Sequence, residues 1–260
     1  MSISKSKKNI VITGASSGIG EALALHYAQD HHHLILTGQN EARLSKVVEM
    51  CQAKGATVKS KIIDVCAREK LQTWLEEMDQ KTPIDLVIAN AGISGGTAGT
   101  DGTEFMAQMR QIYNVNVMGV LNTLEPIINA MIKRKSGQVA FMSSMASYAP
   151  WPGAPAYASS KTAMRYLGHS LRGSLKQYGI KVSVICPGFI ESRITAKNNF
   201  PMPFFKKADY AAVKIAKGLD KNKVTIAFPF PTYAFSVLIG CLPSAVLIYM
   251  NAKLPSKGAL

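Results

Sequence analysis

Tyr157 and Lys161 stand four residues apart in Tyr157-Ala158-Ser159-Ser160-Lys161, with Ser144 upstream. On a helix, positions i and i+4 emerge on one face, a turn apart. A phenol is a weak proton donor or acceptor at neutral pH. A nearby ammonium favours the phenolate and draws the phenol pKa toward working range. A serine hydroxyl aimed at the same point can hydrogen-bond a substrate oxygen. Together these groups suit proton transfer to or from a carbonyl or hydroxyl oxygen. The same Tyr-x-x-x-Lys spacing also occurs on helices whose outer face is merely solvated, so other elements must give it a purpose.

The amino-terminal stretch supplies one. A β-branched apolar run over 9–13 ends in Gly14-Ala15-Ser16-Ser17-Gly18-Ile19-Gly20. A helical pattern follows through Ile19, Ala22, Leu23, His26 and Tyr27, then a second apolar run over 34–37. Strand, glycine turn, helix and strand make a βαβ unit that opens a parallel sheet. Small residues let the backbone approach a pyrophosphate, and the helix N-terminus offers free N–H groups with a positive dipole end. The alternation continues, with helices expected over 41–54, 68–80, 104–133, 156–178 and 208–219. Further strands are expected over 57–63, 84–89, 138–142, 181–185 and 223–228. This predicts an α/β fold: a Rossmann-type doubly wound parallel sheet of about seven strands with helices on both faces. The catalytic domain is placed at 1–228, and 229–260 is an apolar extension.

Composition narrows the partners. The 260 residues carry a net charge of +14 and are 47% hydrophobic, ample for one core. Cys51, Cys66, Cys186 and Cys241 lack Cys-x-x-Cys spacing and read as reduced, mostly buried thiols of a cytoplasmic protein. No secretion signal is visible. There is no nucleic-acid-binding motif and no basic stripe interleaved with aromatics, which leaves phosphorylated cofactors and anionic membrane surfaces as partners for the charge. His31-His32-His33 reads as a polar turn rather than a metal site.

Thr13-Gly14-Ala15-Ser16-Ser17-Gly18-Ile19-Gly20, Asn90-Ala91-Gly92, Asn116, Ser144, Tyr157-x-x-x-Lys161 and Pro187-Gly188 stand in one order and spacing. In that combination the chain, over about residues 8–228, resembles the short-chain dehydrogenase/reductase family. The resemblance implies a carbonyl/alcohol oxidoreductase that uses a nicotinamide cofactor and no metal, and a homo-oligomer, dimer or tetramer. It implies Tyr157 as general acid/base, Lys161 as the residue that lowers its pKa and holds the nicotinamide ribose, and Ser144 as the group polarising the substrate oxygen. It implies that Asn116 holds a relay water, with Ser143 and Asn114 the near-miss alternatives. Cofactor contacts are implied at Gly14, Ser16, Ser17, Gly18, Ile19, Gly20, Asn90, Ala91, Gly92, Tyr157 and Lys161. Asp64 and Val65 match adenine contacts. Pro187, Gly188, Ile190 and Ser192 match the loop against the carboxamide.

Cofactor choice turns on the end of the second strand. Thr37-Gly38-Gln39-Asn40 carries no acid to hold ribose hydroxyls, which removes the charge that repels a 2′-phosphate. It also lacks the arginine common in NADP-preferring relatives. Ser16, Ser17, Gln39, Asn40 and Arg43 could bind the phosphate, and the balance favours NADP over NAD.

Loops and the carboxyl end suggest the substrate. Residues 94–103, rich in Gly and Thr, read as a mobile loop. Residues 148–155 hold Trp151 among three prolines. Residues 193–207, with Phe200, Phe204 and Phe205, read as a lid over an apolar ligand, and the family resemblance implies that this is a lipid- or steroid-like carbonyl or alcohol. No charge occurs over 224–252, and Pro243 divides that stretch. Lysines flank both ends, including Lys223 before and Lys253 and Lys257 after, which disfavours crossing a bilayer. The expectation is two short helical pieces lying in one leaflet of the cytoplasmic membrane face, with lysines at the headgroups. The competing reading packs the extension into the protein or a dimer interface. Against the enzyme stands one rival, a catalytically silent cofactor-sensing or scaffold protein on the same fold.

Overall fold

Alternation along short strands decides which side of the sheet each residue serves. Ile10 and Ile12 enter one core, Val11 the other, and all three are fully buried. The structure, a computed structural model, describes residues 7–30, 32–97, 101–251, 257, 258 and 260. Its strands are β1 (Asn9–Ile12), β2 (His33–Gly38), β3 (Thr57–Ile62), β4 (Leu86–Ala89), β5 (Gly137–Met142), β6 (Ile180–Pro187) and β7 (Thr225–Phe228). They form one parallel seven-stranded sheet in the order β3-β2-β1-β4-β5-β6-β7. The expected doubly wound fold therefore holds. Helices α1 (Gly18–Ala28), α2 (Glu41–Ala53) and α8 (Ala208–Asp220) cover one face, and α3 (Arg68–Lys81), α5 (Gly119–Arg134) and α6 (Pro155–Leu175) the other.

The strand order reverses between β1 and β4, and a crevice opens beyond their carboxyl ends, where ligands of such sheets bind. The reversal is locked by side chains. Thr13 Oγ1 accepts the Asn90 and Ala91 N–H groups, and Asn90 Nδ2 donates to the Thr13 carbonyl at 2.9 Å.

The helix expected over 104–133 is two, α4 (Gly102–Tyr113) and α5, joined without a break by a π-helical turn over Asn114–Met118. Such turns add a residue to the ladder and re-aim side chains, often at functional sites. Asn116 lies in this one, fully buried.

After β6, the short α7 (Arg193–Ala196) begins the lid. Its two ends are pinned, since the Glu191 N–H donates to the Lys206 carbonyl and the Lys206 N–H to the Phe189 carbonyl. Beyond β7, α9 (Phe230–Gly240) and α10 (Ser244–Asn251) are separate helices, with Pro243 between them. Their inner sides dock on the 148–153 loop: Tyr233 meets Tyr148 edge to face at 5.8 Å, and Asn251 Nδ2 donates to the Pro150 carbonyl at 2.5 Å. Their outer sides expose Phe230, Phe235, Leu238, Ile248 and Tyr249, each more than half accessible. Among the described residues, the run through α4 and α5 is the one helix long and apolar enough to cross a membrane, and its Val120, Leu124, Ile127 and Met131 are buried in the sheet's core.

Candidate active site

Glycine geometry shapes the side of the crevice nearest α1. Gly14 has φ +66°, and a Cβ there would lie 2.9 Å from Ala91 Cα. Gly20 leaves no room at all, because its Cβ would stand 2.3 Å from the Gly14 carbonyl oxygen. The loop thus folds tightly onto itself and onto Asn90. Ser17, the N-cap of α1, makes no side-chain cap bond, so its helix end is not capped internally.

Helix α6 carries Tyr157 and Lys161 and lies close on the sheet. A Cβ at Gly168 would meet Val184 Cγ2 at 2.6 Å, so only glycine allows this approach. Two contacts then fix its first turns to the end of β5. Ser143 Oγ donates to the Lys161 carbonyl at 2.7 Å, and Lys161 Nζ donates to the Met142 carbonyl at 2.9 Å. Ser143 therefore holds the helix, while Ser144 faces the phenol of Tyr157 and hydrogen-bonds it. Of the two near-miss positions, Ser143 thus points at the helix backbone, and Asn114 lies on the surface.

Asn116 braces the opposite wall. Its Oδ1 accepts the Ile93 N–H at 2.8 Å, and its Nδ2 donates to the Ile93 carbonyl and to Ser160 Oγ, each at 3.0 Å. Gly92 fits between Asn116 and Lys161, where a Cβ would lie 3.1 Å from Oδ1 and 3.2 Å from Nζ. Ser144, Tyr157, Lys161 and Asn116 thus converge at the carboxyl ends of β4 and β5.

Electrostatics at this point differ from the sequence expectation. Lys161 Nζ lies 5.9 Å from the Tyr157 ring centroid, yet the phenol pKa is raised, not lowered. Desolvation dominates and outweighs the Ser144 hydrogen bond. The same burial pushes the Lys161 ammonium down to about 8. In the free protein the phenol is therefore a held proton rather than a ready base.

The crevice, of about 390 Å³, is lined by Gly14, Ser16, Ser17, Gly18, Ile19, Gln39, Val65, Asn90, Ala91, Gly92, Ser144, Tyr157, Lys161, Pro187, Gly188, Ile190 and Ser192. Three expected contacts lie elsewhere. Gly20 packs under the loop; Asn40 caps α2 by accepting the Arg43 N–H at 3.0 Å; Asp64 turns back to accept the Cys66 N–H at 2.8 Å. Ser192 reaches the crevice, but its hydroxyl is engaged in a capping box with Thr195 at the start of α7. Arg43 lines the crevice beside Gln39, and its buried Nε has no hydrogen-bond partner among the described residues. Thr37 Oγ1, also lining, is likewise unpaired. These orphaned groups at the end of β2 fit an anionic oxygen group.

The lid side is aromatic. Phe200 meets Trp151 at 6.0 Å and Phe189 at 6.2 Å, both edge to face. The sequence missed Ser94, Gln108, Lys257 and Leu260. Residues 94–96, expected to be mobile, are buried, and Gln108 Nε2 donates to the Gly96 carbonyl at 2.9 Å; residues 98–100 of that loop lie outside the described residues. Lys257, expected at the headgroups, is instead buried beside Tyr157, its ammonium 5.3 Å from the ring centroid. The Gly95-Gly96 pair was the available signal, because two adjacent glycines can mark a close backbone approach. His32 is also buried, and its Nδ1 accepts the Lys8 N–H at 3.1 Å; His31 lies outside the described residues. Cys241 is exposed, whereas Cys51 and Cys186 are buried.

Comparison with known proteins bears on the family and the fold. Residues 8–202 match the family model for short chain dehydrogenases. An uncharacterized oxidoreductase of Myxococcus xanthus (strain DK1622) is 34% identical over 226 residues, covering 86% of this chain and 88% of that one. The fold superposes on a short-chain dehydrogenase from Sphingobium yanoikuyae in complex with NADPH, with TM-score 0.77, 21% identity, and coverage of 92% and 97% of the two chains. It also superposes on a short-chain dehydrogenase/reductase from Burkholderia phymatum in complex with NAD, with TM-score 0.78, 22% identity, and coverage of 90% and 92%.

Proposed function

The chain belongs to the short-chain dehydrogenase family of oxidoreductases, and from that premise we propose that it interconverts a carbonyl and a secondary alcohol on an apolar substrate, using NADP(H). The observation that carries this reading is the convergence of Ser144, Tyr157 and Lys161 at the crevice, with Asn116 braced behind them. A bound nicotinamide cofactor supplies the hydride. The chain's own groups do the rest. Tyr157, protonated at neutral pH, gives its proton to the substrate oxygen during reduction and takes it back during oxidation. Ser144 hydrogen-bonds that oxygen and orients it. As the phenol proton leaves, the Lys161 ammonium stabilises the charge that develops.

The glycine loop and the start of α1 would hold the pyrophosphate. Ser16, Gln39 and Arg43 would hold a 2′-phosphate, and the unpaired Arg43 Nε is what favours NADP over NAD. The aromatic contacts of Trp151, Phe189 and Phe200 support an apolar substrate under the lid. Fluorescence titration with NADPH and NADH, followed by a carbonyl panel graded by chain length, tests the reading. NADPH is expected to bind more tightly, with turnover falling about 100-fold or more in Tyr157→Phe. Undiminished turnover in that variant would sink the assignment, and cofactor binding without any turnover would favour the sensor or scaffold reading.

Two contacts beyond the substrate are part of the proposal. The exposed outer faces of α9 and α10, on a chain of net charge +14, suit an anionic membrane surface, here the cytoplasmic face, on which the protein lies peripherally. Flotation with anionic vesicles should carry wild-type protein upward and leave Phe235→Glu/Leu238→Glu behind; equal flotation of both overturns the contact. A separate apolar face, with Met106, Met118 and Leu121 on the long helix and Tyr166 on α6, suits a second copy of the chain. Sedimentation velocity should report a dimer or tetramer that Leu121→Asp dissociates, and a monomeric wild type would refute self-association.

A further inference from the structure

The carboxyl-end segment returns to the proton-transfer centre. The Lys257 N–H donates to the Gly153 carbonyl at 3.0 Å, and the Gly96 N–H donates to the Gly258 carbonyl at 2.8 Å. The position is built rather than incidental. A Cβ on Gly96 would lie 2.3 Å from Lys257 Cβ, and one on Gly95 would lie 1.9 Å from Gln108 Oε1. Lys257 is 6% exposed. Its ammonium donates to Ser94 Oγ at 2.8 Å and stands 5.3 Å from the Tyr157 ring centroid. Ser94 and Leu260 both line the crevice.

We propose that Lys257, aided by Lys197, is a substrate-binding cation that takes an anionic oxygen group, carboxylate or phosphate, carried close to the substrate's reacting carbon. This rests on the reading of Tyr157 as the proton-transfer residue and names the substrate class for it. Three observations carry the proposal. The Ser94 hydroxyl is the hydrogen-bond partner of Nζ, and among the described residues no carboxylate pairs with it. The crevice is lined by Arg43, Lys161, Arg193 and Lys197 and by no Asp or Glu. Burial, then the neighbouring Lys197 charge, push the Lys257 ammonium down to about 8. A buried, unpaired cation is costly, and an anionic group on the ligand relieves that cost. With Phe200 and Trp151 on the lid side, the substrate is an amphiphile: an apolar body with an anionic group near its carbonyl.

Binding calorimetry on the full chain tests this with a series of oxo acids of short and long tail, each beside its methyl ester, and with inorganic phosphate. The acids are expected to bind at least about 10-fold more tightly than their esters. Lys257→Gln, which removes the charge but keeps a polar donor, should bring the acid-to-ester ratio close to one, and Lys257→Arg should retain it. Lys197→Gln, at an exposed position, should lower the ratio in part even if the Lys257 variants fold poorly. Competition by phosphate at the same ratio assigns the group to phosphate chemistry, and its absence to carboxylate. Calorimetry reads binding whether or not turnover occurs, so failure of the proton-transfer reading appears separately as binding without catalysis. An acid-to-ester ratio near one in the wild type, or one unchanged in Lys257→Gln, overturns the proposal.

Discussion

Replacing Lys161 by methionine should make the protein more stable and nearly inactive. Lys161 is 4% exposed, and burial lowers its pKa from 10.5 to about 8. Between those two values the unfolded chain holds a proton that the folded chain has released, so stability rises with pH across that window. At about 1.4 kcal/mol per pH unit the rise amounts to about 3 kcal/mol, and below about pH 8 the folded protein carries that whole cost. Methionine fills similar space without a charge and removes the cost. It also removes the hydrogen bond to the Met142 carbonyl, worth about 1 kcal/mol. The net expectation at pH 7 is a gain of about 2 kcal/mol, or about 4 °C in Tm for a chain of this size. Near pH 10.5 the advantage should disappear, leaving the variant about 1 kcal/mol less stable for want of the hydrogen bond. Urea or thermal unfolding of both proteins from pH 7 to pH 10 measures this, because titrations common to both cancel in the difference. Turnover should fall about 100-fold or more in the same variant, since the developing phenolate loses its cation. A variant less stable than wild type at pH 7, or an offset that stays constant with pH, would show that Lys161 is not held against its charge, and the electrostatic account of the site would fail.

Arg43→Ala should weaken NADPH by about 10-fold more than NADH, because only the 2′-phosphate uses the guanidinium whose Nε is now unpaired; equal loss for both cofactors would remove Arg43 from that role. Gly20→Ala should cost about 1–3 kcal/mol in urea unfolding, given a Cβ placed 2.3 Å from the Gly14 carbonyl oxygen, and cofactor affinity should drop with it. Asn116→Ala should destabilise by about 2 kcal/mol or more, since the Ile93 N–H and carbonyl both lose their side-chain partner. A neutral result in denaturant would mean that water takes over both bonds.

What was legible in the sequence depended on how local the controlling physics is. Period-two alternation at Ile10, Val11 and Ile12 and a glycine that must adopt φ +66° are properties of a few neighbouring residues, so the sheet and the tight glycine turn after β1 could be read directly. The i, i+4 spacing of Tyr157 and Lys161 is equally local. The sign of the Tyr157 pKa shift is not, because desolvation is set by what covers the ring, and part of that cover comes from the other end of the chain. The π-helical turn at Asn116 escaped for a related reason: an extra residue in a helical ladder leaves the hydrophobic period of the flanking turns intact.

Lys257 shows how far the non-local part reaches. In sequence it follows a charge-free run, four residues after Lys253, and reads as a headgroup lysine. In space, α9 and α10 turn one side to the 148–153 loop and the other to solvent, and the chain beyond them delivers the ammonium to Ser94 and Tyr157. An apolar segment can therefore present an outer face for a surface and an inner face for a pocket, so the two readings of the extension need not exclude each other. The same reasoning explains the glycines at 95 and 96. Gly95 leaves room for the Gln108 side chain, and Gly96 for Lys257, which comes from the far end of the chain. A lysine brought that distance and buried beside Tyr157, its ammonium on the Ser94 hydroxyl, carries a continuing desolvation cost. An anionic substrate would lower that cost only when bound, which turns the strain into selectivity for the charged ligand over its neutral ester.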